Sequence, residues 1–231
     1  MSFVHIVTYN NTDPQAYISE LDYQDITALV STTPGLRQVN LHLPSSARDY
    51  YTDDGHSPQL VIESYFDDLL TLEHNLTNNG HLQTLANTKY SSLQTSHIEH
   101  QVMFSRTYPV RNETTVDNSS CCSYLVHYPG FAENFFEWLN YYLAHHPQIM
   151  QRFPSIRAIE IYTRVDWVDS LPWRRANYMQ RNKQVFDSPE HLTAALNSPI
   201  RHEMRTDFEK FPTFHGGNLH FAMKTYQICP Y

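Results

Sequence analysis

Pro34-Gly35-Leu36-Arg37-Gln38-Val39-Asn40-Leu41 recurs about 120 residues later as Pro154-Ser155-Ile156-Arg157-Ala158-Ile159-Glu160-Ile161. The proline and arginine repeat, and the apolar residues keep alternate positions, the period of a strand with two unlike faces. The same offset holds further out. Phe66-Asp67 falls on Phe186-Asp187, Leu72 and Leu76 fall on Leu192 and Leu196, and His100-Gln101-Val102-Met103 falls on His220-Phe221-Ala222-Met223. The matches cluster at element boundaries, as expected of a duplicated supersecondary unit, and the register is expected to hold without a slip.

Each copy reads strand, helix, strand, strand, helix, strand. Phe3 to Tyr9 and Ser123 to Tyr128 are short runs rich in β-formers. In the second copy Phe135, Trp138, Leu139, Tyr142, His146, Ile149, Met150 and Phe153 recur at three- and four-residue steps, the face of an amphipathic helix that Pro154 ends. Asp67 and Asp187 are expected to cap the second helices. The reading is an α+β chain of two βαββαβ repeats, residues 1–110 and 121–231, joined by a polar linker at 111–120.

The 231 residues carry a formal charge of −8 with scattered basic residues, which argues against a nucleic-acid partner. No apolar run reaches the roughly 20 residues of a membrane span. Cys121, Cys122 and Cys229 make no disulfide framework, so a reducing, cytoplasmic setting is expected. The 6 glycines leave no phosphate-binding loop, and no spacing suits a metal. The excess of 16 Tyr and 14 His, apolar bodies with polar tips, suits a pocket for a small molecule.

A sheet with helices on one side must cover its other face, and two such halves can cover each other. Alternation assigns Val39, Leu41, Ile159 and Ile161 to the helices, and Gln38, Asn40, His42, Ala158, Glu160 and Tyr162 to the enclosed face. On the last strands Met103, Leu219, Phe221 and Met223 are expected beneath the helices, with His100, His220 and Lys224 on the enclosed face. On the first strands His5, Val7, Tyr9, Leu125 and His127 are expected inside. The candidate catalytic set is therefore His127, Glu160, Tyr162 and His220, with imidazole or carboxylate as acid or base and tyrosine as a donor to an oxyanion. His5, Tyr9, Asn40, His42, His100 and Lys224 are candidate ligand-binding residues, joined by His145 and His146, of which one is expected packed and the other at the cavity rim. Neighbouring helix positions diverge too far for His145 and His146 to chelate one ion.

This pattern resembles the dimeric α+β barrel superfamily, in which ferredoxin-like units join their sheets around a cavity; here the dimer is fused into one chain. The helix Phe135-x-x-Trp138, continuing to Ala144-His145-His146-Pro147 and Phe153-Pro154, is similar to that of the EthD-like group. The resemblance implies a pseudo-dimeric antiparallel barrel. It also implies isomerase, cyclase, dehydratase or cofactor-free monooxygenase chemistry on an oxygenated apolar or aromatic compound, without a tightly held cofactor. Haem on His127, His146 or His220, as in some duplicated members, and a noncatalytic ligand-binding or interaction protein are the alternatives it leaves open. It leaves room for a homodimer of the fused unit.

Overall fold

The computed structural model describes residues 2–111 and 120–228. The linker expected at 111–120 lies, apart from its two end residues, outside the described residues, as does Cys229. The first copy comprises β1 (Ser2–Asn10), α1 (Glu20–Ser31), β2 (Gln38–Pro44), β3 (Leu60–Phe66), α2 (Leu69–Leu76), α3 (Gln83–Asn87) and β4 (His97–Tyr108). The second comprises β5 (Ser120–Tyr128), α4 (Phe135–Met150), β6 (Ala158–Arg164), β7 (Arg174–Arg175), β8 (Gln180–Phe186), α5 (Pro189–Leu196), α6 (Pro199–Phe208) and β9 (Leu219–Ile228). Among the described residues no helix is long and apolar enough to cross a membrane.

The turn at Pro34-Gly35 and Pro154-Ser155 is built alike in both copies: Gly35 and its counterpart Ser155 both take left-handed backbone, φ 73° and 59°. A side chain at Gly35 would strike Thr71, so the first copy needs glycine there. The arginine two residues on is also reused. Arg37 pairs with Asp67 at 3.3 Å, and Arg157 donates from Nε to Asp187 at 2.9 Å. These aspartates therefore do not cap the second helices. Asp68 and Ser188, one residue later, accept from Thr71 and His191 and do so instead, leaving the preceding carboxylates free to tie the helix entry to the second strand.

Eight strands close into one antiparallel barrel in the order β1-β3-β2-β9-β5-β8-β6-β4, and β4 returns to β1. Each copy supplies four strands, and the copies are sewn together twice, by β2 with β9 (Leu41 opposite Tyr226) and by β4 with β6 (Ser105 opposite Tyr162). Closure removes every sheet edge except the one taken by two-residue β7. The helices cover the outside, where Ile26, Val30, Val39, Leu41 and Leu72 form one apolar core, and Trp138, Tyr142, Ile159, Ile161 and Leu192 form another. This is the fold of the dimeric α+β barrels, two ferredoxin-like units in one chain.

The barrel interior has its own apolar lining of Val4, Ile6, Val61, Met103, Leu125 and Met223, with Phe221 against it. Three facial expectations are corrected by it. First, Phe3 faces Phe66 while Cys122 faces Phe186, so the first strands are related by 119 residues and the third strands by 120. That one-residue slip inverts β1: Val4 and Ile6 point in, whereas His5, Val7 and Tyr9 point out toward the helices. Leu125 and His127 do point in. Second, Met103, Phe221 and Met223, with Leu219 on the same strand face, line the interior. Third, His100, His220 and Lys224 stand outside. The underlying assumption, that apolar positions belong under the helices and polar ones inside, fails because both faces of the sheet mix apolar and polar side chains.

At the centre of that lining sits a polar knot. Glu63 and Lys183, related by the repeat offset, meet across the barrel at 2.7 Å. Lys183 also holds Glu160 Oε1 at 3.0 Å and donates to the Tyr65 hydroxyl at 2.6 Å; Tyr65 and Tyr162 share a 2.8 Å hydrogen bond. His42 approaches Glu63 at 3.1 Å through Nε2 and Thr225 at 2.8 Å through Nδ1, while Asn40 donates to Glu63 at 3.3 Å. Burial alone would neutralise Glu63, but the charges of Lys183 and His42 outweigh it and hold the carboxyl well below its usual range. For Lys183 burial again opposes charge and Glu160 and Glu63 prevail, pushing the ammonium higher. Removing one partner strands a buried charge. Lys183→Met is expected to cost about 3–5 kcal/mol in urea unfolding, and the double variant Glu63→Gln with Lys183→Met to recover part of that loss; a double variant less stable than the single one would contradict the pairing.

Candidate active site

The repeat relates His100 on β4 to His220 on β9. Both stand on the outer sheet face, and each meets an aspartate from the long connection of the other copy. Those connections are residues 45–59, between β2 and β3, and residues 165–173, between β6 and β7.

In the first copy the arrangement is sealed. His100 is fully buried, its Nδ1 lies 3.0 Å from His5 Nε2, and its Nε2 lies 3.7 Å from Asp169 Oδ1. Trp167 and Trp173 close on the ring edge-on at 6.2 and 5.8 Å. Burial lowers the pKa of both histidines, His5 well below 6.5.

In the second copy it is open. Asp54 Oδ2 accepts from the His220 backbone N–H at 2.9 Å and from Nδ1 at 2.7 Å. This pair holds the ring by its backbone and by one nitrogen, so Nε2 is the nitrogen left for another partner. The hydrogen bond from His220 holds the Asp54 carboxyl below its usual range. Tyr124, the counterpart of His5 once the slip is counted, stacks on the imidazole at 5.5 Å and 26°. His220 and Tyr124 then wall a cavity of about 340 Å³ together with Tyr17, Thr52, His56 and Gln59. A second chamber of about 40 Å³ shares Thr52, Tyr124 and His220 with it and runs between sheet and helices past Tyr128, His146, Asn182 and Phe208.

The connection that carries Asp54 is clamped to α6. Arg201 binds both oxygens of Asp49 at 2.8 and 2.7 Å, a bidentate geometry of high directional strength. Asp49 also accepts from Thr52 at 2.7 Å and Tyr124 at 3.0 Å. Burial would raise Asp49, but Arg201 overrides it and the pKa falls; burial raises Tyr124, so its hydroxyl stays protonated. Tyr50 stacks on His202 and Tyr51 hydrogen-bonds to it.

The four residues expected to act together are not brought together. Glu160 and Tyr162 belong to the interior knot with Asn40 and His42, and its donors and acceptors are largely spent on one another. His127 is also interior, packed by Tyr178 and Phe221, while His220 lies across the sheet. His5 and His100 form the sealed cluster, and Tyr9 is buried under the first copy's helices. His146, buried, donates from Nδ1 to Asp207 at 2.7 Å and lines the smaller chamber; His145 is exposed and stacked on Tyr141; Lys224 is exposed beside Tyr226. Sequence reasoning missed Asp54, Asp49, Thr52, Tyr124 and Arg201. The run Asp49-Tyr50-Tyr51-Thr52-Asp53-Asp54-Gly55-His56 carried a signal, a connection dense in chemistry-bearing side chains.

The surroundings of His220 and His146 do not suit haem. The cavity at His220 is walled by Asp13, Asp49, Asp53 and Asp54 and, among the described residues, by no lysine or arginine, which opposes the propionates, and the chamber beside His146 is far too small for a macrocycle.

The fold has known counterparts. An anthrone oxidase-like protein superposes with a TM-score of 0.66 at 12% identity, over 99% of this chain and 93% of its own. A provisionally assigned monooxygenase of Fusobacterium nucleatum gives 0.58 at 10% identity, over 99% and 94%. Another from Lactobacillus acidophilus gives 0.56 at 8% identity, over 100% and 97%. No protein-family model matches the sequence, and no curated protein matches it.

His127 sets a pH dependence. Burial, reinforced by the nearby Arg181 guanidinium, holds its pKa well below the 6.5 of a free imidazole. The unfolded chain therefore binds this proton first, so stability is full above about pH 6.5 and is lost as pH falls below it. His5 has the same sign. In urea unfolding between pH 7 and pH 5, His127→Leu is expected to flatten the slope by up to about 1.4 kcal/mol per pH unit; an unchanged slope would show that His127 is not held neutral.

Proposed function

We propose that this protein is a small-molecule enzyme whose general base is His220, oriented by Asp54, acting on an oxygenated apolar or aromatic compound. The observation that carries the reading is the contrast between repeats: one histidine–aspartate pair is sealed by two tryptophans, and its counterpart opens onto a cavity of about 340 Å³. Asp54 accepts from Nδ1, which makes Nε2 the basic nitrogen and stabilises the imidazolium once a proton is taken. The substrate is bounded by its surroundings. The cavity's carboxylates disfavour anionic compounds, and the rings of Tyr17 and Tyr124 offer faces on which a flat aromatic compound can pack.

The first step is removal of a proton from a carbon made acidic by a neighbouring carbonyl, with His220 Nε2 as acceptor. Returning that proton to another carbon gives an isomerisation; attack of the carbanion on a second carbonyl of the same molecule, with the proton returned to the alkoxide so formed, gives a cyclisation. With dioxygen as co-substrate, a CH₂ flanked by aromatic rings becomes a carbonyl, one oxygen atom entering the product and the other leaving as water. The names borne by the structural neighbours make anthrone-like ketones the first compounds to try.

Turnover of anthrone and related hydroxyaryl ketones, followed by oxygen uptake and by product absorbance, tests this. His220→Gln and Asp54→Asn are each expected to lower kcat/KM by about 10²–10⁴, while His100→Gln leaves it within a few-fold. Equal losses in His100→Gln and His220→Gln, or full activity in His220→Gln, would overturn the assignment.

A further inference from the structure

Arg181 is 1% exposed, and none of its three guanidinium nitrogens has a hydrogen-bond partner among the described residues. Buried arginine is almost always paired, because an unpaired charge away from water is among the costliest arrangements a core can contain. The nearest carboxylates are already engaged. Glu99 accepts from the Tyr178 hydroxyl at 2.6 Å, and Glu63 is held by Lys183, Tyr65 and His42. What Arg181 does have is a stacking partner, with its central carbon 4.2 Å from the Tyr178 ring centroid. Stacking covers a face of the guanidinium and leaves its N–H edges, which lie in the plane, unused.

Its surroundings fit an acceptor of particular shape. Arg181 shares the inward face of β8 with Lys183, and its register neighbours are His127 on β5 and Tyr162 on β6. At the same end of the barrel Thr8, the cross-strand partner of Glu99, keeps a buried hydroxyl that also has no partner. A guanidinium edge, a hydroxyl and an imidazole are a donor set for an anion, and the fork of N–H groups matches two coplanar oxygens.

We infer that Arg181 anchors an anion site inside the barrel, one that takes a small planar oxyanion such as nitrate, bicarbonate or a short carboxylate. This site lies on the inner sheet face and is distinct from the His220 cavity on the outer face. It stands whether or not His220 is catalytic.

The test compares the full-length protein with Arg181→Met, a variant of similar reach without charge, in thermal unfolding at constant ionic strength as fluoride is replaced by nitrate. The wild type is expected to show a saturable rise in Tm. Arg181→Met is expected to show none, and to be at least as stable as the wild type in fluoride. A second measurement does not need Arg181→Met to fold: the Arg181 Nε–Hε resonance of ¹⁵N-labelled wild type, identified by its absence in the charge-retaining Arg181→Lys, should shift saturably with nitrate. Equal Tm responses in both proteins, or a resonance that nitrate leaves in place, would overturn the anion site and assign the guanidinium to internal hydration.

Discussion

The Glu63–Lys183 ion pair is the constraint on which the other features turn. The two residues occupy the same position of the repeat, so a duplicated unit with identical charges there would have faced its own like charge across the barrel. Divergence to opposite signs removes that repulsion and replaces it with attraction in a medium where both are strong. Around this pair Tyr65, Tyr162, Glu160, His42 and Asn40 supply the hydrogen bonds that a buried charge needs. The result is a polar knot whose members are held by one another. It draws β3 and β8 together, and so adds to the two strand seams between the copies, β2–β9 and β4–β6, in closing the barrel.

That closure has a consequence for chemistry. A network with its donors and acceptors already matched has little left to offer a substrate. One space for a small molecule opens instead on the outer sheet face under the connection that carries Asp54, where the two copies differ; another, of about 410 Å³, opens at one end of the barrel beside Asn40, Glu160 and Lys183. In one copy Trp167, Trp173 and His5 fill the room around His100. In the other Tyr124 stands where His5 would, the connection carrying Asp54 stops short of filling the gap, and His220 faces a cavity. Both connections cross from the opposite copy, so each histidine–aspartate pair exists only in the fused barrel. Arg201 and Asp49 fix the connection of the open copy to α6, which keeps Asp54 in reach of the imidazole.

Much of the fold was legible because duplication prints itself as period. The turn at Pro34-Gly35 and Pro154-Ser155, the alternation through Leu41 and Ile161, and the helix from Phe135 all followed from spacing. The interior side of β2 and β6 followed too. The first strands were misread because a slip of one residue is invisible in identities yet exchanges the two faces of a strand. The last strands were misread because polarity was taken as a sign of the interior; His100 and His220 are polar residues on the helix side, made tolerable by aspartates that are remote in sequence. Such pairings, 166 residues apart for Asp54 and His220, have no periodic signature. Glu63 and Lys183 could have been found, since the offset aligns them and opposite charges in a buried strand demand explanation.

The central claim is that function resides in the open copy, outside the barrel, at His220. The most direct measurement is the position of an oxygenated aromatic ketone in a crystal soaked with it. The account predicts the compound beside Tyr124, with its acidic carbon or oxygen within hydrogen-bonding reach of His220 Nε2. A compound seated against His100 instead, or within the barrel among Glu160, Tyr162 and Lys183, would contradict it.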